Sequence, residues 1–230
     1  MRRLICLVLI LLPACRGVPH APLVPLEDPA LLASCLRVME MAYPPGFRLA
    51  QRIVIEQGGE QFDCIGALVV RREDAFRAIA LGEMGGRLFD FLKRGDDRQV
   101  LTKAEGMPLN PLRSGVLRDI EHLFGWSAAE GARAGRTAEG RPALLLPWQE
   151  GETEYRFDSA GTRLESSLQA REGRVVRRAR YGDYRRFDGW DSELPARILL
   201  ENLEWGYRLE IELLEMRPGG DLATAFEVSP

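Results

Sequence analysis

Two hydrophobic periods alternate along the chain, and the points where they switch mark its elements. From Phe47 the period is two. Phe47, Leu49, Ile53 and Ile55 alternate with Arg48, Arg52 and Glu56, which predicts a half-buried strand. Gln57-Gly58-Gly59-Glu60 reads as a hairpin turn, and residues 62–70 as the returning strand. Further strands are predicted over 75–81, 87–93 and 99–103, separated by Glu83-Met84-Gly85-Gly86 and Gly95-Asp96-Asp97. The pattern resumes over 143–148, 154–157, 163–170, 175–184, 198–203 and 207–216. In the last of these Tyr207, Leu209, Ile211 and Leu213 face one way, and Arg208, Glu210 and Glu212 the other. That is a sheet with one wet and one apolar face.

Helical spacing appears twice. Asp28-Pro29 is an N-cap followed by proline at the first helical position; Leu32, Leu36 and Met39 then recur, with Leu31 and Cys35 beside them. Pro44-Pro45-Gly46 stops this helix. Asn110-Pro111 starts the second, whose stripe is Leu112, Val116, Ile120 and Leu123, widened by Leu117 and Phe124. Residues 126–140 read as a long loop. About ten consecutive antiparallel strands do not stay flat, so the sheet should curl. The expected fold class is mainly β (α+β), a curled antiparallel sheet forming an incomplete barrel covered by two or more helices. Leu112, Val116, Ile120 and Leu123 should then oppose Leu209, Ile211 and Leu213 across the concave face. These seven residues are candidate linings of an apolar ligand cavity; a filled core fits the same pattern.

The chain has 230 residues, 46% hydrophobic and 28% charged, an ordinary globular composition that fits a single folded domain. A net charge of −3 gives no overall basic field for nucleic acid. Arg174, Arg177, Arg178, Arg180, Arg185 and Arg186 form one basic concentration. A solvated strand face is the plainer reading. Arg178 and Arg180 fall together on one side and are candidate contacts to an anionic head group.

Of the two histidines, His122 lies off the stripe of the second helix and is expected at the surface. Neither histidine has partners at metal-ligand spacing. Ser114-Gly115 lacks the G-x-S-x-G frame, Glu150 to Glu154 reads as an acidic turn, and no phosphate loop or dinucleotide fingerprint occurs. No cofactor, metal or catalytic residue is therefore expected.

Two arginines precede nine apolar residues, Leu4 to Leu12, as in a secretory signal. Nine is far short of the ~20 that span a bilayer. Leu12-Pro13-Ala14-Cys15 resembles the lipobox of bacterial lipoproteins. The resemblance implies diacylglycerol on the Cys15 sulfur and cleavage before it. Arg16, where an Asp tends to retain such lipoproteins at the inner membrane, implies the outer membrane, on its periplasmic face. The expected organisation is a signal over 1–14, a Pro-rich tether over 15–28 carrying Pro19, Pro22 and Pro25, and one domain over 29–230. Cys35 and Cys64 remain after processing. They are either a disulfide pair or two buried thiols.

Leu81-Gly82-Glu83-Met84-Gly85-Gly86-Arg87-Leu88-Phe89 resembles a strand–turn–strand of LolB-like lipoproteins. Arg180-Tyr181-Gly182-Asp183-Tyr184, Leu194-Pro195-Ala196-Arg197-Ile198 and Trp205-Gly206-Tyr207-Arg208-Leu209-Glu210-Ile211 are similar to the C-terminal part of the LolA/LolB superfamily, with Phe226 in its closing segment. The resemblance implies a half-barrel whose apolar cavity holds acyl chains. It implies a non-enzymatic lipoprotein anchored to the membrane through Cys15, binding lipid or lipoprotein acyl chains and meeting a periplasmic carrier or envelope complex. The other reading is an accessory lipoprotein that docks on a membrane complex without carrying lipid.

Overall fold

The computed structural model describes residues 18–19, 22–41, 46–71, 75–82, 84–105, 115–124, 131–148 and 151–219. Hairpins dominate. One meander runs through β3 (Gly46–Gln57), β4 (Glu60–Arg71), β5 (Ala75–Gly82), β6 (Arg87–Arg94) and β7 (Asp97–Lys103). A second runs through β8 (Arg133–Arg136), β9 (Pro142–Trp148), β10 (Gly151–Phe157), β11 (Leu164–Arg171), β12 (Arg174–Arg185), β13 (Leu194–Asn202) and β14 (Tyr207–Pro218). Helix α1 (Pro29–Met41) precedes the first meander, and α2 (Leu117–Phe124) separates the two.

Pairing of β14 with β3, from Tyr207↔Gln57 to Pro218↔Phe47, joins both meanders into one sheet. Its order ends at β7 on one side, and at β8 with the two-residue β2 (Val24–Pro25) on the other. The sheet is not closed, so the curled half-barrel expected from the sequence is what forms. Edge strand β7 carries Asp97, Arg98, Gln99 and Lys103, charged and polar groups of the kind that deter pairing with another chain. The segment expected to be a tether supplies β2 and also β1 (Val18–Pro19), which pairs with the start of β12.

The two faces differ as the alternation demands. Cross-strand ion pairs cover the convex side, among them Arg197–Glu210 at 2.6 Å and Arg52–Asp63. Exposed pairs of this kind contribute ~0–1 kcal/mol each; they keep the face wet rather than hold the fold. The concave side carries one continuous core of Phe47, Leu68, Phe91, Leu144, Phe157, Ile198, Leu213 and their neighbours.

Two further elements differ from expectation. Strand β8 lies inside the segment read as a loop, its Gly135 too close to Leu23 and Val24 to admit a side chain. Strand β13 starts at Leu194, not at 198. Pro195 is tolerated because it faces Tyr184 of β12 before the pairing with β14 begins at Arg197, so its missing N–H costs no ladder bond.

Asp28 caps α1, its Oδ1 accepting from the N–H groups of Ala30 (3.0 Å) and Leu31 (3.1 Å). The helix docks on the β10–β11 turn, where Ser34 Oγ donates to the Gly161 carbonyl at 2.9 Å. Gly161 has φ +67°, and a Cβ there would lie 2.8 Å from Leu31 Cδ1 and 2.9 Å from Cys35 Sγ. Gly161→Ala is therefore expected to cost about 2 kcal/mol or more, from left-handed strain plus displacement of α1. A thermal melt unchanged within error would contradict this docking.

Candidate functional site

Helix α2 lies across the concave face and is tied to both sides of the trough. On one side Glu121 accepts Lys93 Nζ at 2.8 Å and Arg98 Nη2 at 3.0 Å, from β6 and β7. On the other, Asp119 and His122 reach β11 to β14. Phe124 meets Phe47 of β3, ring centroids 6.4 Å apart.

A polar cluster sits under the helix. Arg177 Nε donates to Asp119 Oδ1 at 2.8 Å, and Asn202 Nδ2 to the same oxygen at 3.0 Å. The Tyr207 hydroxyl donates to Asp119 Oδ2. Arg177 also donates to Gln169 Oε1 at 3.1 Å and Glu204 Oε2 at 3.4 Å. Arg177 is 0% and Asp119 1% exposed. Burial raises the Asp119 carboxyl above its ordinary range, against the pull of Arg177, Tyr207 and Asn202. The phenol of Tyr207 is likewise raised, by burial and then by the Asp119 charge. The carboxylate is thus held at a desolvation cost that its donors only partly offset.

A second contact holds the same helix. His122 Nε2 lies 3.0 Å from Ser167 Oγ, which is 3.1 Å from the Tyr181 hydroxyl. Burial, then the Arg177 charge, depresses the imidazole to about 3, so it is neutral. His122 Nδ1 has no hydrogen-bond partner. A serine–histidine pair acting as nucleophile and base needs an orienting group on that nitrogen and a route for substrate. With a bare Nδ1 and Ser167 and His122 both buried, the pair serves to seat α2 on β11.

The cluster borders open space. A cleft of about 430 Å³ lies between the β3–β4 and β13–β14 turns, and Asn202 and Tyr207 form part of its wall with Glu56, Gly59 and Arg208. Among the described residues no group of three or more His, Cys, Asp or Glu side chains is placed to hold a metal ion, and no helix is long and apolar enough to cross a membrane.

Of the residues singled out by pattern, Leu123, Leu209, Ile211 and Leu213 are buried together in the core. Val116 and Ile120 pack against it but are only half-buried. Leu112 and Cys15 lie outside the described residues. Arg178 and Arg180 do share the convex face, but Arg178 is taken by Glu201, with Nε 2.5 Å from Oε2, so it meets the head-group expectation already neutralised.

His122 is corrected from surface to interior: the buried arc of α2 is wider than its aliphatic stripe and includes Asp119 and His122. Glu154, read as part of an acidic turn, is a buried strand residue bonded to Arg156. Cys35 and Cys64 are not bonded to each other. Each is a free buried thiol pushed up to about 11 by burial, Cys35 beside Gly161 and Cys64 in β4 between Ile53 and Gly82.

The residues that pattern reading missed are Asp119, Arg177, Asn202 and Tyr207 as a set. A signal existed for two of them. Arg177 is in phase with Val175, Ala179 and Tyr181 on the buried side of β12, and Asp119 borders the apolar stripe of α2.

A family profile described as "Protein of unknown function (DUF3261)" matches residues 48–215. No curated protein matches the chain. Solved structures do, at low identity. A LolA superfamily protein of Nitrosomonas europaea is 12% identical, with 87% of this chain and 99% of that one covered and a TM-score of 0.60. A DUF1329 family protein of Desulfovibrio piger is 13% identical, covering 87% and 98%, TM-score 0.62. A domain named for outer membrane lipoprotein sorting, from Vibrio parahaemolyticus, is 10% identical, covering 84% and 93%, TM-score 0.55. The shared property is the fold.

Two outcomes follow from the cluster. Asp119→Leu, which removes the buried carboxylate facing Arg177 and leaves Glu204 at 3.4 Å as its carboxylate, is expected to cost about 3–5 kcal/mol, and Arg177→Met added to it should recover most of the loss. Urea unfolding of both variants measures this; a single-variant cost below ~1 kcal/mol would show that the pair does not hold α2. The depressed His122 contributes stability that is fully present above pH 6.5 and is lost as pH falls toward about 3. Between these values the wild type should lose up to ~1.4 kcal/mol per pH unit relative to His122→Gln. Parallel stability–pH curves for the two proteins would contradict a buried neutral imidazole.

Proposed function

We propose the following reading for this chain, which belongs to the DUF3261 family of proteins of unknown function: it is a non-enzymatic lipoprotein, anchored through Cys15 on the periplasmic face of the outer membrane, that takes lipid or lipoprotein acyl chains into its concave face and passes them on. Helix α2 is the cover. The observation that carries this reading is the exposure of Val116 and Ile120. At about 100° per residue both fall in the middle of the inward arc of α2, between Leu123 on one side and Leu117 and Phe124 on the other. Those flanking residues are buried, whereas Val116 and Ile120 keep accessible surface. Both rest against the core without being sealed by it, which supports a cover that is not fully packed down.

The cover is held by a polar latch rather than by apolar packing alone. Lifting α2 returns Asp119 to water, which offsets part of the cost of breaking its bonds to Arg177, Asn202 and Tyr207. An acyl chain entering beneath would regain ~0.8 kcal/mol per buried methylene, so about ten methylenes offer ~8 kcal/mol gross to drive opening. The lipoprotein-sorting name of one structural neighbour and the LolA superfamily membership of another agree with this use of the fold. The competing reading, a docking lipoprotein that carries no lipid, draws on the near-complete burial of Leu213 and Ile211, which leaves the floor under β14 packed.

Binding of a fluorescent fatty acid to the purified protein separates them. Acyl uptake predicts saturable binding, and Ile120→Trp should keep the melting temperature within a few degrees while weakening binding at least about tenfold. A folded Ile120→Trp variant that binds the probe as well as wild type, or a wild type that does not bind it, would leave only the docking reading.

A further inference from the structure

Hairpin topology sorts the turns of the half-barrel into two ends. The β3–β4, β5–β6, β9–β10, β11–β12 and β13–β14 turns share one end, and the β4–β5, β6–β7, β10–β11 and β12–β13 connections share the other. Leu81, Phe62 and Met84 form one group of exposed apolar side chains at the first end, while exposed Val24 lies toward the other end and Ile65 and Leu214 along the strands. Met84, in the β5–β6 turn, is 100% exposed. Phe62, on β4, is 52% exposed although it shares the concave face with Cys64 and Leu68. By register Cys64 pairs with Gly82, so Phe62, two residues further along, is level with the β5–β6 turn. Trp148 and Trp205 adjoin the β9–β10 and β13–β14 turns and are half-buried. The 430 Å³ cleft opens at this end as well.

The amino-terminal strand sets where the anchor can be. β1 pairs Val18 with Val175 and Pro19 with Arg174, beside the β11–β12 turn. The edge of β12 that it uses is free only there, because β13 takes over from Arg177. Cys15 precedes Val18 by three residues, a reach of ~10 Å. The far end of β12, at Arg185, is ten residues from Val175, or ~33 Å. A lipid on Cys15 therefore stays near the first end.

We propose that β1 straps the acylated amino terminus to β12, and that the strap holds the domain with its Met84 end, and the mouth of the concave trough, against the lipid surface. The occupant of the exposed apolar tips is the bilayer. Met84 offers an unbranched apolar side chain at a fully exposed turn, level with the exposed ring of Phe62. Charge at this end is mixed, with Arg87, Arg174 and Arg208 among Glu56, Glu60 and Glu172, so contact does not require anionic lipid. The inference rests on the acylation of Cys15 in the proposed function and adds an orientation to it. An acyl chain leaving the bilayer would meet Phe62 and the trough mouth directly.

The test uses the full lipoprotein reconstituted in vesicles of phosphatidylcholine and phosphatidylethanolamine. Met84→Cys and Asp96→Cys each receive an environment-sensitive dye; Asp96 lies in the β6–β7 turn at the opposite end. Cys35 and Cys64 are buried and take no label, and Cys15 carries the lipid. Spin-labelled lipid is expected to quench the dye at position 84 several-fold more than at 96. Inserting about ten Gly and Ser residues between Gly17 and Val18 should bring the two values together. Equal quenching in the uninserted, acylated protein overturns the orientation and leaves the anchor standing. A preference that survives the insertion overturns the strap. Intact mass distinguishes a failed anchor: protein without the acyl mass on Cys15 overturns both the orientation and the anchored reading beneath it.

Discussion

A carboxylate and a guanidinium, both shut off from water, meet where α2 lies on the sheet. Asp119 and Arg177 are far apart in sequence and could not be buried singly. Their pairing fixes which face of α2 turns inward and where along β12 to β14 the helix lands, because Asn202 and Tyr207 complete the hydrogen bonds of the same carboxylate. Such a pair adds little net stability over an apolar filling but is intolerant of losing one member. It is a positional constraint, and the shape of the concave face depends on it.

The sheet makes that constraint necessary. Its convex side is satisfied by water and cross-strand ion pairs, while its concave side presents apolar residues from nearly every strand. Two meanders joined by β14 and β3 leave a trough open along one side, and an eight-residue helix is little material to close it. Glu121 anchors that helix to β6 and β7, and Asp119 and His122 anchor it to the other side. Val116, just before the helix, and Ile120 face the core in the middle of this span and are only half-buried. A cover fastened by polar contacts at its margins can be released as a unit, which is the behaviour asked of a transient acyl binder.

Most of the fold was legible in the sequence. Period-two runs, Gly-rich turns and the Asp28-Pro29 cap located the long strands and α1, because alternation and capping are local. The curl and the wet convex face followed from the number and polarity of those strands. The short strand β8 was missed because Arg133–Arg136 carries no alternation; it is a strand only because β9 and β2 flank it. The site was less legible. An aliphatic stripe on α2 put Leu112, Val116, Ile120 and Leu123 on the inner face, but the buried residues of α2 also include the polar flank at Asp119 and His122. Their polarity is matched by Arg177 and Ser167, partners no local pattern can announce. Arg177 in phase with Val175 and Tyr181, and Asp119 beside the apolar stripe of α2, were the visible signs of buried charge.

The central claim is that α2 opens from the concave face without the sheet unfolding. Hydrogen–deuterium exchange of the α2 backbone amides tests it most directly. On this account those amides exchange well before the amides of β12 to β14, and a fatty acid that enters the trough changes their rate while leaving the strands alone. If the α2 amides exchange only together with the central strands, and a fatty acid leaves their rate unchanged, α2 is part of a closed core and the account is wrong.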